Sequence, residues 1–190
     1  MNPQRAFLAG EFFGLSLQGA TQRAGIYKPE ATEADRKELH LHLREHLERC
    51  LEQYKEEVGD QAHCKNIERI ANSLTRRHAG LLRDNRFRIG PTQKAFNLYL
   101  KYMWCVEEVA RPPHCPIDSI VIKASGMPST VKWTEFTRID EYMAVVSRLR
   151  QVASPVPLGE WELREWVRGD GASLSVRRTP ESQRSPNSGS

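Results

Sequence analysis

The 190-residue chain predicts an all-α fold: a single compact domain of six or seven helices around a buried central helix over residues 1–167, with a disordered basic tail at 168–190. Three observations carry this. Apolar residues recur at spacings of three and four, the period of a helix with one buried face. Helix-start and helix-stop residues punctuate that pattern at short intervals. One stretch, Pro91–Val109, is apolar nearly all round, as a helix in the middle of a fold is. At 39% hydrophobic and 27% charged residues, the chain has the composition of a soluble globular protein with one ordinary core.

In chain order, the first helix is predicted from Gln4 to about Leu17, with Phe7, Leu8, Phe12 and Leu15 on one side. Glu11 interrupts this apolar N-terminus, so it reads as a helix of the domain rather than a signal peptide, and a cytoplasmic location is expected. No apolar run approaches the ~20 residues that span a bilayer. Gly19 to Pro29 predicts a loop. Thr32 with Asp35 then predicts a capped helix start, and Leu39, Leu43, Leu47, Cys50, Tyr54 and Val58 continue the stripe to a stop at Gly59. A third helix starts near Asp60 and buries Ile67, Ile70, Leu74 and Leu82. Gly90-Pro91 opens the central helix, because proline suits the first helical position. The prolines of "RPPHCP" end it, and Asp118 stands where an N-cap would, before "SIVIKASG". Thr137 and Asp140 predict another capped start, and "LGEWELREW" a last short helix. From Arg168 the chain has too few apolar residues to order itself.

Charge is distributed unevenly. Residues 30–60 hold ten acids against five bases, whereas residues 76–101 hold seven bases against Asp84 alone. A basic cluster of that kind can steer a polyanion. Lys94, Asn97 and Lys101 share one face of the central helix, and Arg83, Arg86 and Arg88 lie just before its N-terminus at Gly90. A helix N-terminus preceded by a glycine turn offers free N–H groups to a phosphate. These six residues with Gly90 are therefore the predicted nucleic-acid site, with DNA expected ahead of RNA. The plainer explanation is that lysines on the wet side of a buried helix need no ligand.

Other constellations point to chemistry less directly. "HLREH", His42–His46, places two histidines at i and i+4 where both could hold a metal, but a charge-rich solvated helix face accounts for it as well. The doublets His63-Cys64 and His114-Cys115 could together form a four-ligand site, although adjacent ligands suit zinc poorly. His78 falls on an apolar face and reads as a satisfied core histidine. Four cysteines (Cys50, Cys64, Cys105, Cys115) form no Cys-x-x-Cys pair, so reduced thiols are expected rather than a disulfide scaffold. No metal or cofactor is expected, and neither a P-loop nor a Gly-x-Ser-x-Gly elbow occurs.

"IGPTQKAFNLYLKYM" followed by "PPHCPIDSIVIK" resembles the helix-hairpin-helix DNA glycosylase superfamily over residues 86–124, and is most similar to its archaeal oxoguanine-glycosylase branch. The resemblance implies that Lys94 matches the Schiff-base lysine and Asp118 the catalytic aspartate. It lacks the usual Leu-Pro-Gly-hydrophobic-Gly hairpin and the four-cysteine iron–sulfur loop. An Asp that caps a helix and a Lys that solvates one explain the same letters. The expected function is a nucleic-acid-binding helical protein, with glycosylase or lyase chemistry on a damaged base as its sharper form. The alternative is a non-enzymatic protein-interaction module, such as a defence or counter-defence factor of a mobile element. No membrane partner is expected.

Overall fold

A computed structural model describes residues 2–165, so the predicted tail and Trp166 lie outside the described residues. Seven α-helices are present there: α1 Pro3–Thr21, α2 Glu33–Cys50, α3 Asp60–His78, α4 Ile89–Cys105, α5 Ser119–Ala124, α6 Ile139–Ala153 and α7 Leu158–Glu165. Short 3-10 turns at Leu51–Lys55, Ala79–Leu81, Arg83–Asn85 and Trp133–Glu135 join some of them, and no strand forms among the described residues. The fold is all-α, as the periodicity predicts.

α4 is the axis. Every residue from Ile89 to Lys101 is buried. α1 lies along it, α3 and α6 flank it, and the Trp133–Glu135 turn caps its start. One continuous core runs from Phe13 in α1 through Leu43, Ile67 and Phe96 to Val146 and Leu158.

Local chemistry sets most of the ends. At α2, the Thr32 hydroxyl accepts from the Asp35 N–H (3.2 Å) while the Asp35 carboxylate accepts from the Thr32 N–H (3.0 Å), the reciprocal box predicted there. Asp118 caps α5 by accepting from the N–H groups of Ile120 and Val121. At α6 the box is shifted by one: Arg138 is the cap, and Glu141 accepts from its N–H.

Two helices differ in length from the prediction. α1 runs on through Gly19 to Thr21 because Gly19 is a point of close approach and not a breaker. A Cβ there would sit 2.8 Å from Leu98 Cδ1, so glycine lets α1 lie against α4. α2 stops at Cys50, eight residues before Val58, and tightens into a 3-10 turn. Tyr54 on that turn is buried, with its hydroxyl 2.7 Å from His63 Nδ1.

Candidate functional site

The polar residues of α4 lie on one side of the helix, but that side is not wet. It faces the Pro112–Asp118 segment, α6 and α7. Gln93 meets the backbone of Ile117 at both ends of its amide, with Nε2 donating to the Ile117 carbonyl (2.8 Å) and Oε1 accepting from the Ile117 N–H (3.1 Å). Asn97 Nδ2 contacts the Cys115 carbonyl (3.2 Å) and the Tyr142 hydroxyl (3.0 Å). Lys94 Nζ donates to Asp118 Oδ2 at 2.8 Å, and Lys101 Nζ to Glu162 Oε2 at 2.6 Å. The predicted solvent stripe of Lys94, Asn97 and Lys101 is thus corrected: it is a buried latch that holds the Pro-rich segment and α7 onto α4. Helical periodicity shows which residues share a face, not what covers that face.

The N-terminus of α4 is closed as well. The Gly90 N–H donates to the Phe136 carbonyl at 3.0 Å, and a Cβ on Gly90 would fall 1.7 Å from the Trp133 carbonyl oxygen. Glycine is required here by the Trp133–Phe136 turn, and the turn occupies the place a phosphate would need. Arg88 is also internal: its guanidinium donates to the carbonyls of Ala24 and Gly25 and lies 3.7 Å from Asp84.

Lys94 and Asp118 are in direct contact, as a catalytic pair would be, but their side chains are only 5% and 15% exposed. Four cavities on the described surface are lined by other residues. Asp118 is already engaged through Oδ1 by two backbone N–H groups and through Oδ2 by Lys94. As placed, the lysine is a charged partner in a largely buried ion pair.

A second polar cluster contains the histidines of both His-Cys doublets, joined by Asp60, Tyr142 and Arg150, which no sequence motif links to them. Asp60 opens α3 and receives both guanidinium nitrogens of Arg150, at 2.5 and 2.6 Å. His114 Nε2 lies 3.2 Å from Asp60 Oδ1, and His114 Nδ1 lies 2.7 Å from the Tyr142 hydroxyl. The His63 ring stands edge-on to His114, with centroids 4.6 Å apart. Burial pushes the His114 pKa down to about 4, against the pull of Asp60. Burial also holds His63 well below the usual histidine range, with His114 adding to the effect. The Arg150 hydrogen bonds hold Asp60 at about 2. His63, His114 and Tyr142 are sealed from solvent, which makes this an interior network rather than an accessible acid–base site.

The two His-Cys doublets therefore bring their histidines together. Cys64 Sγ contacts Met143 Sδ at 3.3 Å, and Cys115 is in the core. In "HLREH", His42 Nδ1 pairs with His78 Nε2 (2.8 Å) and His46 Nε2 with the Ser73 hydroxyl (2.9 Å). His78 is the satisfied core histidine its position predicts. No group of three or more His, Cys, Asp or Glu among the described residues is arranged to hold a metal.

What remains of the basic cluster on the surface is a set of arginines where α3 ends. The Phe87 N–H donates to the Thr75 hydroxyl at 3.0 Å, which ties the α3–α4 connector to the last turn of α3. Their chain neighbours Arg76 and Arg86 are thereby brought to one region, both exposed and without an ion-pair or hydrogen-bond partner among the described residues. Arg77 and Arg83 are also exposed, with long contacts to Glu38 (3.6 Å) and Asp84 (3.5 Å). Arg76 and Arg77 were not among the predicted contact residues, although the seven-base count of residues 76–101 included both.

Comparison with protein-family models, curated proteins and solved structures finds no match to this chain.

Proposed function

We propose that this chain is a non-catalytic helical module that holds a duplex nucleic-acid backbone on the surface formed by Arg76, Arg77, Arg83 and Arg86. The observation that supports this reading is the Thr75–Phe87 hydrogen bond, which gathers arginines from two elements. Arg76 and Arg86 there have no carboxylate among the described residues to neutralise them. Exposed guanidiniums of this kind suit phosphate oxygens, which they meet in a bidentate fork. They read no bases, so the expected binding is backbone-directed and insensitive to sequence.

The test is fluorescence anisotropy with a labelled DNA duplex over a salt series, with an RNA duplex of the same sequence alongside. Each phosphate contact contributes about −0.9 to the slope of log K against log salt on B-DNA. Replacing Arg76 and Arg86 together by glutamate should reduce that slope by about 2 and weaken binding on every sequence alike. No salt-dependent binding by the wild type at low ionic strength, or an unchanged slope in the double variant, contradicts the reading.

A further inference from the structure

α2 and α3 meet along a seam marked by three contacts. His42 Nδ1 lies 2.8 Å from His78 Nε2, His46 Nε2 lies 2.9 Å from the Ser73 hydroxyl, and Arg69 donates to Cys50 Sγ at 3.3 Å. On α2, His42, Glu45, His46 and Arg49 recur at spacings of three and four, so they share a face. With Ser73 and Arg77 of α3 they line a cavity of about 190 Å³, in which Leu74 is the one apolar side chain. Drug-sized ligands fill roughly 300–1,000 Å³ behind mostly apolar walls, so this space suits a small polar group instead. Apart from Leu74, every lining side chain is at least partly exposed and reachable from the cavity.

Both histidines of "HLREH" are here, but the surrounding charge disfavours a cation. Burial pushes the His46 pKa down, and Arg49 and Arg69 lower it further; a metal ion meets the same field. The arginines are held loosely. The contacts of Arg49 with Glu45 (3.4 Å) and of Arg77 with Glu38 (3.6 Å) are long and exposed, and such pairs are worth little. Arg69 has no carboxylate partner among the described residues and donates to Asn66 Oδ1 at 2.8 Å. Each imidazole spends one ring nitrogen on the seam, which leaves His42 Nε2 and His46 Nδ1 without a hydrogen-bond partner among the described residues. A flat carboxylate is served by a single guanidinium fork. Guanidiniums and imidazoles arriving from two helices suit the three terminal oxygens and near-double charge of a phosphomonoester. A phosphodiester within a strand has two of its oxygens esterified and only one charge, which fits the cavity less well.

We infer that the α2–α3 cavity binds a phosphomonoester group, with Arg49, Arg77, His42 and His46 around it. The group belongs either to the 5′ end of a nucleic acid or to a small phosphorylated molecule. Only the first source rests on the arginine-surface reading, with which the cavity shares Arg77.

Inorganic phosphate, titrated against chloride at matched ionic strength, tests the cavity by itself. The ring resonances of His42 and His46 should shift saturably, while those of the sealed His63 and His114 stay in place. Arg49→Gln should weaken this binding about tenfold, the worth of one charge-assisted hydrogen bond, at an unchanged melting temperature. Lys123→Gln removes an equal charge from the exposed face of α5 and should leave the affinity as it is. A second arm compares duplexes ending in a 5′-phosphate and in a 5′-hydroxyl. Tighter binding of the phosphorylated end, lost in Arg49→Gln, assigns the cavity to a nucleic-acid end; equal binding assigns it to a small phosphorylated molecule. Absence of all duplex binding contradicts the arginine surface and leaves the phosphate titration standing. Histidine rings that do not respond to phosphate overturn the inference, as does wild-type affinity in Arg49→Gln or an equal loss in Lys123→Gln.

Discussion

A methyl group on Gly90 would meet the Trp133 carbonyl oxygen at 1.7 Å, a distance no packing tolerates. Gly90→Ala must therefore push the Trp133–Phe136 turn off the start of α4 and break the Gly90–Phe136 hydrogen bond. Overpacking of that kind costs about 3 kcal/mol or more, and the expected readout is a lower urea midpoint at an unchanged m-value. Lys94 makes the same point with charge. Lys94→Met leaves the Asp118 carboxylate nearly buried without its counter-ion, and breaking a buried pair costs about 3–5 kcal/mol. A stability loss below about 1 kcal/mol in that variant would show that the pair opens to water. At this scale the sequence was legible only in part. Lys94 and Asp118 were singled out and do touch, and Asp118 is the predicted N-cap. Gln93 was passed over, although a polar residue in the most apolar helix of a chain is itself a sign of an interior partner.

Between α3 and α6 the buried His63–His114 cluster makes stability depend on pH. The folded pKa of His114 is about 4 against an ordinary 6.5, so between those values the unfolded chain binds the extra proton. Stability is full above pH ~6.5 and falls as pH drops towards 4, by about 3 kcal/mol for this group alone. His63, shifted in the same direction, steepens the fall. Asp60, held at about 2, loses its contribution only below its ordinary 3.8, so the two losses occur in separate windows. Urea titrations at pH 7, 5.5 and 4.5 check this; a flat profile would mean that the histidines are hydrated. The helices themselves were largely legible, because capping boxes and stripes are local signals. The end of α2 was not, since Tyr54 turns inward to meet a histidine nine residues further on. The length of α1 was missed for a similar reason: Gly19 answers to Leu98 on another helix.

Across the whole molecule, the basic segment 76–101 divides into two populations. Arg88, Lys94 and Lys101 are internal, satisfied by carbonyls or carboxylates, and hold the segments around α4 together. Arg76, Arg77, Arg83 and Arg86 remain on the surface. No helix among the described residues is long and apolar enough to cross a membrane. The acidic helix α2 reaches the basic segment through Glu38 and Arg77 at 3.6 Å, an exposed contact of small energetic worth, so it leaves the rest of the arginine surface open. The most direct measurement compares the salt dependence of duplex binding in Lys94→Met with that in Arg76→Glu/Arg86→Glu. The account predicts a wild-type slope for Lys94→Met, despite its lower stability, and a slope reduced by about 2 for the arginine pair. A slope that falls in Lys94→Met and holds in the arginine pair would contradict it, and would place the phosphate at the latch after all.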